Sequence, residues 1–256
     1  MSYLLPLRSE QKMCILLSLL EGEKKLSDLE IACQTRGTTI LHNLKELETL
    51  ELTTKSKGVY KLTPLGIIEA QICKGVNLSL EVLIKHKDFW LSHDTSGIPP
   101  VLARELGALE GSILIKDTGI ELQKVHNNFM DLLLTSKTVS GISPIFHPDY
   151  IKMFEKILSQ GGKVRLIITN AVLERLKQEA NNLVGKYTKE GNLEIYVNDN
   201  IKVAITITER GVSWGLFNLL GEYDYANDLI CEGKEARDWG HQLFVKLLEE
   251  AQKYKS

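Results

Sequence analysis

The stretch from Leu26 to Leu62 constrains this chain more than any other. It reads LSDLEIACQTRGTTILHNLKELETLELTTKSKGVYKL. Two short amphipathic segments flank a tight turn, and two alternating segments come after them. Ser27 and Glu30 have the spacing of a capping box, and Leu26 is placed to meet Ile31 as a hydrophobic staple. Thr35-Arg36-Gly37 turns the chain, and Thr38 or Thr39 caps the next helix. Ile40, Leu41, Leu44 and Leu47 form its expected buried seam. At 100° per residue, Thr38, Thr39, His42, Lys45 and Glu46 project from the other side, with Asn43 at the margin. Leu52 to Lys55 and Val59 to Leu62 then read as strands around Ser56-Lys57-Gly58, where Gly58 supplies a positive φ. This is the pattern of a winged helix-turn-helix, whose second helix enters a DNA major groove.

The outward face of that second helix carries hydroxyl, amide and imidazole groups, which suit base edges. Thr38, Thr39, His42 and Asn43 are therefore the expected base readers. Arg36, Lys45, Lys55 and Lys57 are the expected phosphate contacts, the last two on the wing. From Arg36 to Leu62, five basic residues face three acidic ones, a net +2. Affinity for DNA rests largely on neutralised phosphates, so one such unit binds weakly. Two units on one site, and hence a homodimer, are the expectation.

The flanks frame this unit. Ser9 caps a helix with an apolar stripe at Met13, Leu16, Leu17 and Leu20. Thr63-Pro64 opens another, with Leu65, Ile68 and Ile72 expected to face the core and a break expected at Gly75-Val76-Asn77. Leu78, Leu80, Val82, Leu83, Ile84, Phe89 and Trp90 continue as an apolar helical stretch, either a dimer seam or a helix packed on the second domain. Ser96-Gly97-Ile98-Pro99-Pro100 is the best linker signal. Residues 1–75 are thus expected to form the DNA-binding domain, 76–97 a connecting helix and linker, and 98–256 a regulatory domain.

Beyond the linker the period changes. Short strands are expected at 113–115, 138–143, 163–169, 193–197, 203–208 and 212–217, with helices at 120–134, 148–159, 172–183 and 235–254. This alternation predicts an α/β sheet covered on both faces, with an antiparallel edge. The whole chain is then α+β: a winged helix followed by a sensor-like α/β domain with a mixed sheet.

Composition narrows the function. A net charge of −2 over 256 residues excludes a generally basic coat for nucleic acid. No basic-then-apolar leader and no apolar run near the roughly 20 residues of a membrane span stand in the sequence, so no membrane partner is expected. The four cysteines, Cys14, Cys33, Cys73 and Cys231, form no CxxC pair. Free, buried thiols in a reducing cytoplasm are the expectation, with neither a disulfide nor a zinc cluster.

The second domain resembles that of archaeal winged-helix regulators of the methanogenesis regulatory protein family. The resemblance rests on His147-Pro148 opening a helix and on the strand Lys163 to Thr169. Glu222-Tyr223-Asp224 and Trp239-Gly240 before Leu243-Phe244 carry it too. It implies a DNA-binding transcriptional regulator with a sensing or dimerising C-terminal domain. The same domain is distantly similar to half of a phospholipase D fold. The HxK-then-Asp pattern of that superfamily is missing, because His147 is followed by Pro148 and Asp149.

Gly211-Val212-Ser213-Trp214-Gly215 is a GxSxG, with Asp224, Asp228 and His241 downstream in hydrolase order. A nucleophile elbow needs a strand, a sharp turn and a helix, whereas Trp214 to Phe217 alternate like the return strand of a hairpin. No enzyme activity, catalytic residue, cofactor or metal site is expected. His126, His147 and His241 show no ligand spacing in sequence. A small-molecule effector is expected beyond the carboxyl ends of the strands, near Ser143, His147, Thr169 and Asn170, with Trp214, Tyr223 and Trp239 as walls. The alternatives to a DNA-binding regulator are a winged helix that binds protein and a serine hydrolase using Ser213.

Overall fold

A computed structural model describes residues 9–118, 120–121 and 123–255. The chain divides into two compact units, Met1–Leu78 and Ser79–Ser256.

In the first unit, helix α1 spans Glu10–Leu20. The Ser9 hydroxyl accepts from the Lys12 amide at 3.4 Å and caps it. Strand β1 (Lys24–Lys25) leads into α2 (Leu26–Ala32) and α3 (Gly37–Thr49). Strands β2 (Thr53–Ser56) and β3 (Val59–Leu62) form the wing. β1 pairs with β3, a third strand too short to announce itself in sequence. Ile15, Leu16, Leu29, Ile40, Leu44, Leu47 and Leu52 make one fully enclosed core.

Local details depart from the sequence expectation. The cap of α2 is Lys25, whose backbone amide donates to Asp28 Oδ2 at 2.8 Å, so Ser27 and Glu30 form no box. Ile31 is 77% exposed and staples nothing. Leu41 leaves the seam and lies 43% exposed. Cys14 and Cys33 are joined in a disulfide, against the expectation of free thiols. Their spacing across two helices gives no motif, and the compartment argument is statistical; the fold brings their Cα atoms to 5.7 Å. Cys73 and Cys231 are free and buried.

Helix α4 (Pro64–Lys85) runs unbroken through Gly75. The expected break is absent because a lone helical glycine costs only about 1 kcal/mol, too little to end a 22-residue helix. Gly66 has a different role: a Cβ there would run into the Leu52 backbone carbonyl, so only glycine lets α4 start against the wing. Leu65, Ile68, Ile72 and Val76 do not face the core. They are 46%, 62%, 57% and 38% exposed, in one stripe at three- and four-residue spacing.

The second unit is built on an eight-stranded mixed sheet. Short helices α5 (Lys87–Ser92) and α6 (Pro100–Ala103) precede β4 (Ile113–Lys116). The chain continues as α7 (Lys124–Leu134), β5 (Thr138–Ser143), α8 (Pro148–Ser159), β6 (Lys163–Ile168), α9 (Asn170–Glu190) and β7 (Leu193–Val197). Strands β8 (Val203–Ile207), β9 (Gly211–Leu216) and β10 (Asn227–Glu232), helix α10 (Lys234–Leu248) and β11 (Gln252–Lys253) complete it. The strand order is β11-β7-β6-β5-β8-β9-β10-β4. β5, β6 and β7 are parallel neighbours, and every other pairing is antiparallel.

Both sheet faces are covered. On one, Trp214 of the sheet packs beneath Trp239, Leu243 and Phe244 of α10, and on the other Val164, Leu166 and Ile168 pack beneath α8 and α9. Gly240 is where α10 comes down on the sheet, since a Cβ there would crowd Val212 and Ile207. Among the described residues, no helix is long and apolar enough to cross a membrane.

Candidate nucleic-acid interface and ligand cavity

The candidate interface is built from α3 and the wing. Arg36 is the extended residue that starts α3, and it is exposed. Thr38, Thr39, His42 and Lys45 are all exposed on one side of the helix. Leu41 lies on that same side. His42 Nε2 is 3.1 Å from Glu46 Oε1, and Glu46 also pairs with the buried Lys12. The Lys12 pairing, with its hydrogen bond, holds the Glu46 carboxyl below the usual range. Asn43 turns the other way. It is 8% exposed, and its amide donates to the Thr39 carbonyl at 3.0 Å, which sets it apart from the exposed face of the helix.

The wing tip is a two-residue turn, Lys57-Gly58, with φ of +49° and +81°. Positive φ at both positions matches the right-handed twist of the flanking strands. Lys57 is thereby held at the apex, exposed. Lys55 lies 4.9 Å from the centre of the Tyr60 ring, and Tyr60 holds its ammonium above the ordinary lysine range.

In the second unit a cavity of about 560 Å³ opens where β5 meets β8, the boundary between the parallel and antiparallel halves of the sheet. Its floor includes Thr206, Ser213 and Asp228, and its walls include His126, His147 and Tyr150. Ser143, His147 and Tyr223 of the expected effector residues line it. The others stand elsewhere. Thr169 caps α9 by accepting from the Val172 amide, and Asn170 is tied to Asp199 at 2.7 and 2.6 Å. Trp214 and Trp239 pack on each other at 5.0 Å on the opposite face, 0% and 1% exposed. Side chains alternate across a strand, so Ser213 faces the cavity and Trp214 cannot.

Asp228 was not expected as a cavity residue, because β10 opens on the polar pair Asn227-Asp228 and gives no clear alternation there. Ser213 Oγ donates to Asp228 Oδ2 at 2.5 Å. Burial pushes the Asp228 carboxyl up to about 7, against the opposing pull of the Ser213 hydroxyl and two backbone amides. Burial also raises the Tyr223 and Tyr150 phenols.

The GxSxG has a structural explanation. Ser213 lies in mid-strand, paired with Thr206 on β8, not at a strand-to-helix elbow. A Cβ on Gly211 would meet the Cys231 carbonyl, and one on Gly215 would meet the Tyr223 hydroxyl. Both glycines thus make room for neighbours. His241 lines a separate surface cleft with Val101 and Leu102. His93 reaches Asp224 at 3.0 Å, and Asn227 donates to the same carboxylate at 2.7 Å, so Asp224 fixes the loop before β10.

A winged-helix unit followed by a mixed-sheet α/β unit with a polar cavity defines a two-domain winged-helix protein. Two family models match it: methanogenesis regulatory protein FilR1, N-terminal domain, over residues 6–82, and the middle domain of the same family over residues 122–250. The chain belongs to the methanogenesis regulatory protein FilR1 family. It is 31% identical over 243 residues to methanogenesis regulatory protein FilR1 of Methanothrix harundinacea (strain 6Ac), a match covering 92% of this chain and 54% of that protein. The chain therefore spans about half the length of that relative. Among solved structures it is similar to TrmBL2, an archaeal chromatin protein, at 16% identity and a TM-score of 0.47, over 96% of this chain and 94% of the other. It is also similar to the phospholipase D family member Nuc of Salmonella typhimurium, at 13% identity and a TM-score of 0.41, over 57% and 99%.

Proposed function

We propose that this chain is a DNA-binding transcriptional regulator, with α3 in the major groove and the wing on phosphate. The observation that carries the reading is the outward face of α3, where Thr38, Thr39, His42 and Lys45 are exposed beside Arg36 in a unit whose wing tip presents Lys55 and Lys57. Thr38, Thr39 and His42 read base edges; Arg36, Lys45, Lys55 and Lys57 neutralise phosphates. Membership of a family named for regulation supports the same reading.

The cavity is the effector site in this reading, and Ser143, His147 and Tyr223 are the sequence-derived residues that belong to it. The protein acts in the cytoplasm as a homodimer. Its seam is the α4 stripe Leu65, Ile68, Ile72 and Val76, which lies along one face of the helix.

The test is a salt titration with a duplex from the protein's own upstream region and a random duplex. Binding to both that weakens linearly with log salt, and more tightly to one, is the expected result. A second reading, a winged helix that binds protein, is favoured by exposed Ile31 and Leu41. Absence of any retention on random duplex at low salt decides for that reading.

A further inference from the structure

His126 on α7 and His147 and Asp149 at the start of α8 offer one donor atom each, all within 4.8 Å of one another. We propose that these three residues bind a divalent transition-metal ion of the zinc, cobalt or nickel kind, with a further coordination position open to the cavity. Such an ion gives the effector cavity a chemical class, and its regulatory meaning rests on the effector reading of that cavity.

The distances favour a shared ion over direct pairing. His126 Nε2 lies 3.5 Å and His147 Nδ1 3.7 Å from the same Asp149 oxygen, Oδ2. Both exceed the 2.7–3.2 Å of a good hydrogen bond. They fall near the edge of a tetrahedron with metal–ligand bonds of about 2.0–2.1 Å, which is about 3.3 Å. One carboxylate oxygen cannot pair well with two imidazoles at these lengths, yet the three donor atoms lie within 4.8 Å of one another, while Lys152 stands 3.8 Å from the other Asp149 oxygen. The two imidazole rings sit 4.5 Å apart at 38° to each other.

The chemistry of the donor set fixes the class. Two imidazoles and one carboxylate suit zinc and its neighbours, whereas magnesium and calcium prefer oxygen alone. The positive end of the α8 dipole lies at His147 and disfavours a bare cation, and Asp149 supplies the charge that offsets it. His147 Nδ1 accepts only a long 3.3 Å bond from the Asp149 amide, a weak competitor for the same lone pair. All three residues line the 560 Å³ cavity, together with Ser213 and Asp228. Three protein ligands beside a cavity is the arrangement of a site that keeps a position for a water or an organic ligand.

The test is titration of the full chain with cobalt(II), read by visible absorption, and with zinc, read by calorimetry, both without DNA. One ion per chain is expected, with a visible band of low-symmetry cobalt. His126→Gln and Asp149→Asn should each weaken binding by more than the roughly 10–100-fold that loss of a supporting residue costs. Magnesium should not compete. Should Asp149→Asn unfold because α8 loses its terminal charge, His126→Gln alone carries the test. No band and no heat at millimolar metal, equal binding of magnesium, or undiminished binding by a folded His126→Gln would each overturn the proposal. A chain that fails these tests and still retards duplex loses this site and keeps the DNA reading.

Discussion

Asp228 is a buried carboxyl of the second unit whose ionisation falls near neutral pH. Its folded value of about 7 stands well above the ordinary aspartate value of 3.8, because burial disfavours the charged carboxylate more than the Ser213 hydroxyl and two backbone amides favour it. The folded chain holds this proton between those two values and the unfolded chain releases it, so stability from this group is complete below about pH 4 and lost as pH rises through 7. The loss is on the order of a few kcal/mol. Asp228→Asn keeps an acceptor for Ser213 and removes the titration. Its melting temperature should therefore lie close to the parent's near pH 4 and several degrees above it at pH 8, as measured by calorimetry across pH. Lys57 offers a second test at this scale. Lys57→Asn suits the positive φ at that position and removes only the charge. Binding to every duplex should weaken, and the slope of log affinity on log salt should flatten by about one. An unchanged slope would remove the wing from phosphate.

At the scale of elements, the disulfide ties α1 to the residue that ends α2, next to the turn into α3. Closing a loop of this length stabilises by about 3 kcal/mol. Reduction, or Cys33→Ser, should lower the melting temperature of the winged-helix unit, read by circular dichroism of the full chain, with no change in Cys73 or Cys231 reactivity while folded. Much of the element order was legible in the sequence. Val203 to Thr208 and Val212 to Phe217 alternated cleanly, and Lys163 to Thr169 was apolar enough to be central. The two-residue strands β1 and β11 were not legible because they are too short to show a period, and β10 was not because it starts on polar residues. The candidate site was only partly legible. His147 and Ser143 follow from the rule for strand ends. His126 and Asp228 do not, since what brings them together is sheet order, which one sequence does not state. The tryptophans misled for a related reason: an aromatic near a site in sequence falls to one sheet face or the other according to a single register.

At the scale of the whole molecule, the α4 stripe is an apolar surface left uncovered along a regular element. Water penalises Leu65, Ile68, Ile72 and Val76 at roughly 25 cal/mol for each Å² exposed. Ile72→Asp should convert a dimer to a monomer in analytical ultracentrifugation and weaken specific DNA binding far more than non-specific binding. A monomeric parent chain would refute the seam. If two copies meet along this helix, they are related by a twofold axis, and the two reading helices meet the same bases on opposite strands of the duplex. The stripe then dictates the grammar of the target: two inverted half-sites whose centres lie a whole number of helical turns apart, about 10 base pairs or a multiple. In that arrangement a row of four aliphatic side chains, none of them touching a base, would make the operator a palindrome.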